Sequence, residues 1–69
     1  MSNKEVGERL RKARERKGVS MADAARALNV SYGSVVAWEN GLSSPTFRNI
    51  ARLAALYGCS LDELAGRKQ

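Results

Sequence analysis

Six basic residues stand within nine positions near the start of this 69-residue chain: Arg9, Arg11, Lys12, Arg14, Arg16 and Lys17, relieved only by Glu15. Cations at that density either form a solvated helix face or meet a polyanion such as phosphate. The net charge of +5 and a pI near 10 favour the phosphate reading. Between Gly18 and Phe47 the only basic residue is Arg26, set against Asp23 and Glu39. A second group of interest is SYGS, where Ser31, Tyr32 and Ser34 bring three hydroxyls close together. Other chemistry lacks its reagents. With no His and one Cys, a metal site has almost no ligands, so no metal and no cofactor are expected. Cys59 precedes a helix start, a place that lowers a thiol pKa, but it has no His to pair with and reads as a small, partly buried thiol. No acid–base pair, nucleophile–base pair or phosphate loop is present, so an enzyme is not expected.

The elements that must position these groups are short. Sixty-nine residues allow one domain with a single small core and no deep cleft. The lone cysteine fits a reducing cytoplasm, and "MSNK" reads as an ordinary cytoplasmic start. Apolar runs of a few residues neither span a membrane nor form a secretory core. Val6, Leu10 and Ala13 recur at helical spacing up to Gly18, which predicts a first helix over about 4–17. Ser20 with Asp23 resembles a capping box opening a second helix over 20–28, and Asn29 stops it in a left-handed conformation. Ser31 caps a third helix over 31–40, closed by Gly41.

After the loop LSSPT, Thr46 caps a fourth helix over 46–57, with Phe47, Ile50, Leu53, Ala54 and Tyr57 facing inward. Ser60 and Glu63 resemble another capping box, for a last helix over 60–65 that carries Leu61 and Leu64. Residues 66–69 read as a tail. Strand-like alternation is absent from the pattern, so the fold class is all-α, a compact body of five helices.

The joint between the second and third helices has a recognisable logic. A steep crossing through a three-residue turn needs a small residue at the contact, a turn residue tolerant of positive φ, and apolar anchors facing back. Counting from Met21, these are Ala25, Asn29, and the pair Val35 and Trp38, which share a face three residues apart. Val36 points off that face.

With these features, LRKARERKGVS, AARALNVS, VVAWENG and IARLAALYGCSLDEL in order, the chain resembles the Xre/Cro/phage-repressor family of helix-turn-helix proteins over residues 6–65. The resemblance implies a lambda-repressor-like domain. In such domains the second helix crosses the DNA backbone and the third enters the major groove. Carried over residue by residue, the base-reading positions are Met21, Ser31, Tyr32, Gly33, Ser34 and Ala37. The phosphate-binding positions are Arg14, Ser20, Asn40 and Arg48. Arg14 and Glu39 are expected to form a bridge that aims the arginine at a phosphate.

This chain departs from the family where bases are read. Met21 stands where Gln is common, and Tyr32, Gly33 and Ala37 replace amides or guanidinium groups. Each missing bidentate contact forgoes about 1–3 kcal/mol of discrimination. Direct readout is therefore modest, and phosphate contacts with DNA shape carry more of the selectivity.

The function implied is a sequence-specific, repressor-like transcriptional regulator of double-stranded DNA, acting as a homodimer on a pseudo-palindromic operator. Its dimer surface is expected at Cys59, Leu61, Glu63 and Leu64. The rival is a protein-binding helix-turn-helix module, with a toxin or other regulatory protein as partner and only loose DNA affinity.

Overall fold

Each helix opens on a hydroxyl. Ser2, Ser20, Ser31, Thr46 and Ser60 sit in extended backbone, and each side chain accepts the N–H three residues on, at 3.0–3.2 Å. Such caps supply one of the partners that the first turn of a helix lacks, and each is worth about 1 kcal/mol. The computed structural model describes residues 2–66, so the tail expected at 66–69 lies outside the described residues from 67 on. The helices are α1 (Asn3–Lys17), α2 (Met21–Leu28), α3 (Tyr32–Glu39), α4 (Phe47–Tyr57) and α5 (Leu61–Ala65), with no strand among the described residues. The spans read from sequence for α2 to α5 include the capping residue, and the helices proper start one residue later. The third also stops earlier, at Glu39, because Asn40 leaves helical geometry (φ −90°, ψ 1°).

The two anticipated capping boxes are half-boxes. Ser20 and Ser60 cap as expected of the serine, but the acids turn elsewhere: Asp23 pairs with Arg26 and Glu63 with Arg16. A nearby guanidinium outcompetes a single backbone N–H for a carboxylate. The reciprocal box forms at Ser2 and Glu5, where the glutamate accepts from the Ser2 backbone N–H at 3.2 Å.

One core joins all five helices. Leu10 and Ala13 of α1 meet Ala24, Ala25 and Leu28 of α2, Val35 and Trp38 of α3, Leu53, Ala54 and Tyr57 of α4, and Leu64 of α5. Phe47, inward by spacing, is instead 68% exposed. The inward stripe of α4 runs through the half-buried Ile50 to Leu53, Ala54 and Tyr57, and at its loop end it is Pro45 that is buried.

The crossing of α1 over the end of α3 is unusually close. A Cβ on Gly7 would stand 2.5 Å from the carbonyl oxygens of both Trp38 and Glu39. Gly41, at φ 74°, comes equally near the backbone of Lys4. These two glycines let α1 seat directly on the C-terminal end of α3, fixing where the other end of that helix points.

Candidate nucleic-acid interface

Between α2 and α3 the chain turns in three residues. Asn29 takes the left-handed conformation (φ 58°, ψ 46°) that side chains other than Asn and Gly rarely adopt. Val30 N–H then bonds the Ala25 carbonyl at 3.0 Å, and Ser31 caps α3. Ala25 is buried at the joint, and Val35 and Trp38 fasten α3 inward. With those two anchors fixed, helical periodicity turns the opposite side of α3 outward.

On that outward side Ser31, Tyr32 and Gly33 are exposed, Tyr32 by 53%, while Ser34, Val36 and Ala37 are half-buried. Gly33 faces open space, with only the Ser31 hydroxyl as near as 4.0 Å to a hypothetical Cβ. Met21, at the start of α2, is half-buried and packs against the core. The hydroxyls are not equally available. Ser31 Oγ accepts the Ser34 N–H at 3.1 Å and shares a hydrogen bond with Ser34 Oγ at 2.8 Å. Whichever serine donates, the pair keeps one hydroxyl hydrogen free, so it offers an outside partner one donor, not two. The Tyr32 phenol stands alone beside it.

Arg14 is held from three sides. Its Nε donates to Glu39 Oε2 at 2.6 Å, one Nη donates to Glu39 Oε1 at 3.1 Å, and the other Nη donates to the Val19 carbonyl at 2.9 Å. The side chains of Arg14 and Glu39 are only 12% and 6% exposed. Hydrogen bonding to Glu39 raises the Arg14 pKa further above its ordinary range, opposed by burial. Two of five N–H donors remain for any phosphate. The bridge ties α1 to the end of α3 beside Gly7, so the residue cast as a phosphate contact also positions the helix.

The rest of the basic run is divided by helix geometry. Gly7 and Arg14, seven residues apart, mark the side of α1 that meets α3. Arg9, Lys12 and Arg16 lie about 180° round the helix from them. That far side meets α5: Arg16 pairs with Glu63 at 2.6 Å, and Arg9 donates to the Glu63 carbonyl at 3.4 Å. Arg11, exposed, lies about 50° from the α3 direction, and the exposed Lys17 lies about 70° from it on the other side, its ammonium near Gly58. Composition gave no sign of this division; the i, i+3, i+7 spacing of residues 9, 12 and 16 did.

Of the other expected contacts, Ser20, Asn40 and Arg48 are exposed, and the first two bracket the helix-turn-helix at its ends. Of the residues expected at a dimer surface around α5, Leu64 is the one the fold itself covers. Leu64 is fully buried in the chain's own core, Leu61 and Cys59 are half-buried, and Glu63 is engaged by Arg16 and Arg9. Burial, then the Glu63 carboxylate, push the Cys59 thiol up, against Arg16, so any gain from the helix start is outweighed. No His, Cys, Asp or Glu gather as metal ligands among the described residues, and no helix there is long and apolar enough to cross a membrane.

Comparison with known proteins agrees with this architecture. A family model described as Helix-turn-helix matches residues 10–64. The HTH-type transcriptional regulator DicA of Escherichia coli (strain K12) is 38% identical over 58 residues, covering 84% of this chain and 43% of that protein. The HTH-type transcriptional regulator ImmR of Bacillus subtilis (strain 168) is 30% identical over 64 residues, covering 93% of this chain and 50% of that protein. The chain thus spans about half the length of these relatives or less. Among solved structures, the restriction-modification controller protein C.AhdI from Aeromonas hydrophila superposes with a TM-score of 0.82 at 29% identity, over 90% of this chain and 94% of that one.

Proposed function

This chain belongs to the helix-turn-helix family, of the Xre, Cro and phage-repressor type, and on that premise we propose that it is a sequence-specific transcriptional regulator of double-stranded DNA. In this reading α3 enters the major groove by its N-terminal end and two copies occupy a pseudo-palindromic operator. The observation that carries it is the two-sidedness of α3. Val35 and Trp38 are buried while Ser31, Tyr32 and Gly33 stand exposed at the end a groove would receive.

In this reading the exposed groups take the following roles. Tyr32 and the single free hydroxyl hydrogen of the Ser31–Ser34 pair supply directional contacts to base edges. Ala37 and the Tyr32 ring pack on thymine methyls, and the bare Gly33 admits the duplex close to the helix backbone. Met21 contributes an apolar edge. Ser20, Asn40 and Arg48, joined by Arg11 and the spare donors of Arg14, hold phosphates. With no bidentate reader on α3, sequence preference rests heavily on DNA shape and on pairing two half-sites.

Selection from a random DNA pool, followed by titration of the enriched sequence at several salt concentrations, tests this. A two-fold symmetric site and a linear loss of log affinity with log salt are expected. Absence of any enriched sequence, together with tight capture of a protein partner, would transfer the outward face of α3 to protein binding.

A further inference from the structure

With Val35 and Trp38 turned inward, helical periodicity sets Gly33, Val36 and Ala37 within about 50° of the opposite direction, so these three form the outward stripe of α3. No side chain on that stripe donates or accepts a hydrogen bond. Val36 and Ala37 are half-buried, yet among the described residues neither belongs to the hydrophobics packed on the core. A Cβ on Gly33 would stand in open space, which leaves room on the stripe for one methyl group from outside. The single charged residue of α3, Glu39, is bound by Arg14. Polar reach comes only from the edges of the stripe, from the Tyr32 phenol and the Ser31–Ser34 pair.

We propose that this stripe reads the C5-methyl group of pyrimidines in the major groove, and that the chain accepts thymine and 5-methylcytosine as equivalents. The inference rests on the DNA reading and names what that same site recognises. The two bases carry the same methyl in the same place. They differ at C4, where thymine has an oxygen acceptor and 5-methylcytosine an amino donor. Telling them apart takes a group of fixed polarity: a guanidinium or ammonium that only donates, a carboxylate that only accepts, or an amide held in register. The outward side of α3 offers none of these. Its hydroxyls rotate and either donate or accept, so they satisfy both C4 substituents. The purines opposite exchange acceptor for donor at C6, and the same hydroxyls tolerate that exchange.

Burying one methyl against Val36 and Ala37 raises affinity about fourfold, and a symmetric pair of half-sites raises it about sixteenfold. That is comparable with the net gain from a single neutral hydrogen bond, so on this helix the methyl ranks with the hydroxyls. A cytosine at a position where thymine is preferred is then a weak site, and methylation at its C5 restores the affinity.

The test takes the sequence enriched from a random pool and places thymine, uracil, 5-methylcytosine and cytosine in turn at each pyrimidine of a half-site, each with its pairing purine opposite. Uracil is thymine without its methyl, and 5-methylcytosine is cytosine with one. Affinities are read by fluorescence anisotropy. At one pyrimidine or more they are expected to sort by the methyl, with thymine and 5-methylcytosine alike and each about fourfold above its unmethylated counterpart. Sorting by the C4 substituent, thymine with uracil and 5-methylcytosine with cytosine, overturns the proposal. So does indifference to the methyl at every position.

Val36→Thr/Ala37→Ser keeps the shape of the stripe nearly unchanged and adds hydroxyls to it. With its helical spectrum intact, this variant is expected to bind the uracil-containing sequence about as well as the wild type does and to lose the methyl preference. A preference that survives in the variant comes from DNA shape and overturns the assignment. Should the variant fail to fold, the four-base comparison on the wild-type chain decides alone. A pool that enriches no sequence sinks the regulator reading and this proposal with it, whereas an enriched sequence blind to the methyl sinks the proposal only.

Discussion

Removing Arg14 is the perturbation that reaches furthest into this fold. Three of its N–H donors are engaged, two on Glu39 and one on the Val19 carbonyl, and both members of the pair are nearly covered. Breaking a fully buried pair from one side costs about 3–5 kcal/mol, mainly for the charge left behind. Here both groups keep a little solvent contact, so the bottom of that range applies. Arg14→Ala strands the less exposed Glu39 carboxylate and frees the Val19 carbonyl, and should cost about 3 kcal/mol. Glu39→Ala should cost about 2 kcal/mol, because the long arginine keeps Val19 and can extend toward water.

The double variant strands nothing and should cost about 3 kcal/mol, leaving a coupling of about 2 kcal/mol. A 69-residue domain has roughly 3–10 kcal/mol of stability in total, so Arg14→Ala brings the chain near unfolding, with a Tm lower by roughly 12–24 °C. The assay is a double-mutant cycle by thermal and urea denaturation. Since the Arg14 pKa is raised, its contribution is fully present below its unfolded value and is lost only as pH climbs through the folded one; cycles near neutrality all measure the cation. Additive costs, with coupling below about 0.5 kcal/mol, would refute the bridge as the strut of α3. Binding corrected for folded fraction then isolates any phosphate contact by the two spare donors, as a salt slope lower by about 1.

The two glycines that face carbonyls and open space should respond oppositely. Gly7→Ala forces a methyl against the Trp38 and Glu39 carbonyls and should cost about 1–3 kcal/mol in denaturation, while Gly33→Ala should gain up to about 1 kcal/mol and weaken DNA binding. Burial pushes the Tyr57 phenol up to about 12 from 10.0. The unfolded chain therefore loses that proton first, and stability should fall by about 2–3 kcal/mol as pH rises through this window, and not below it; equal alkaline slopes for wild type and Tyr57→Phe would contradict this. Tyr32→Ala should change which sequences are enriched from a random pool, whereas Arg48→Gln should weaken all of them and lower the salt slope by about 0.9. Lys12→Gln, on the α5 side of α1, should leave that slope nearly unchanged.

What the sequence made legible was what local chemistry decides. A hydroxyl before each of α2 to α5, Asn29 at a left-handed turn, and Val35 with Trp38 three apart are choices a few neighbouring residues settle among themselves. What it concealed depended on partners distant in the chain. Asp23 and Glu63 carried the capping-box spacing, but Arg26 and Arg16 claimed their carboxylates, and Arg16 is 47 residues from Glu63. Phe47 lies on the inward stripe of α4 by count, yet nothing local reveals that the core ends at Pro45. Leu64 served two sequence arguments, core and dimer face, and only the packing of α5 on the body separates them.

The basic run holds the same lesson for function. Its density suggested one electrostatic surface, but a helix carrying six cations in nine positions must spread them round its circumference. One side of α1 uses Arg14 to brace α3, and the opposite side uses Arg9 and Arg16 to hold α5 through Glu63. Much of the positive charge is thus consumed in assembling the body. On the proposed reading, phosphate contact then falls to scattered cations at the margins, such as the exposed Arg11 and Arg48, and each copy alone is expected to grip DNA weakly. A reader helix without bidentate side chains compounds that weakness. On the proposed DNA-binding reading both deficits point the same way: selectivity comes from pairing two half-sites at a fixed spacing and from DNA shape, more than from the hydroxyls at the start of α3.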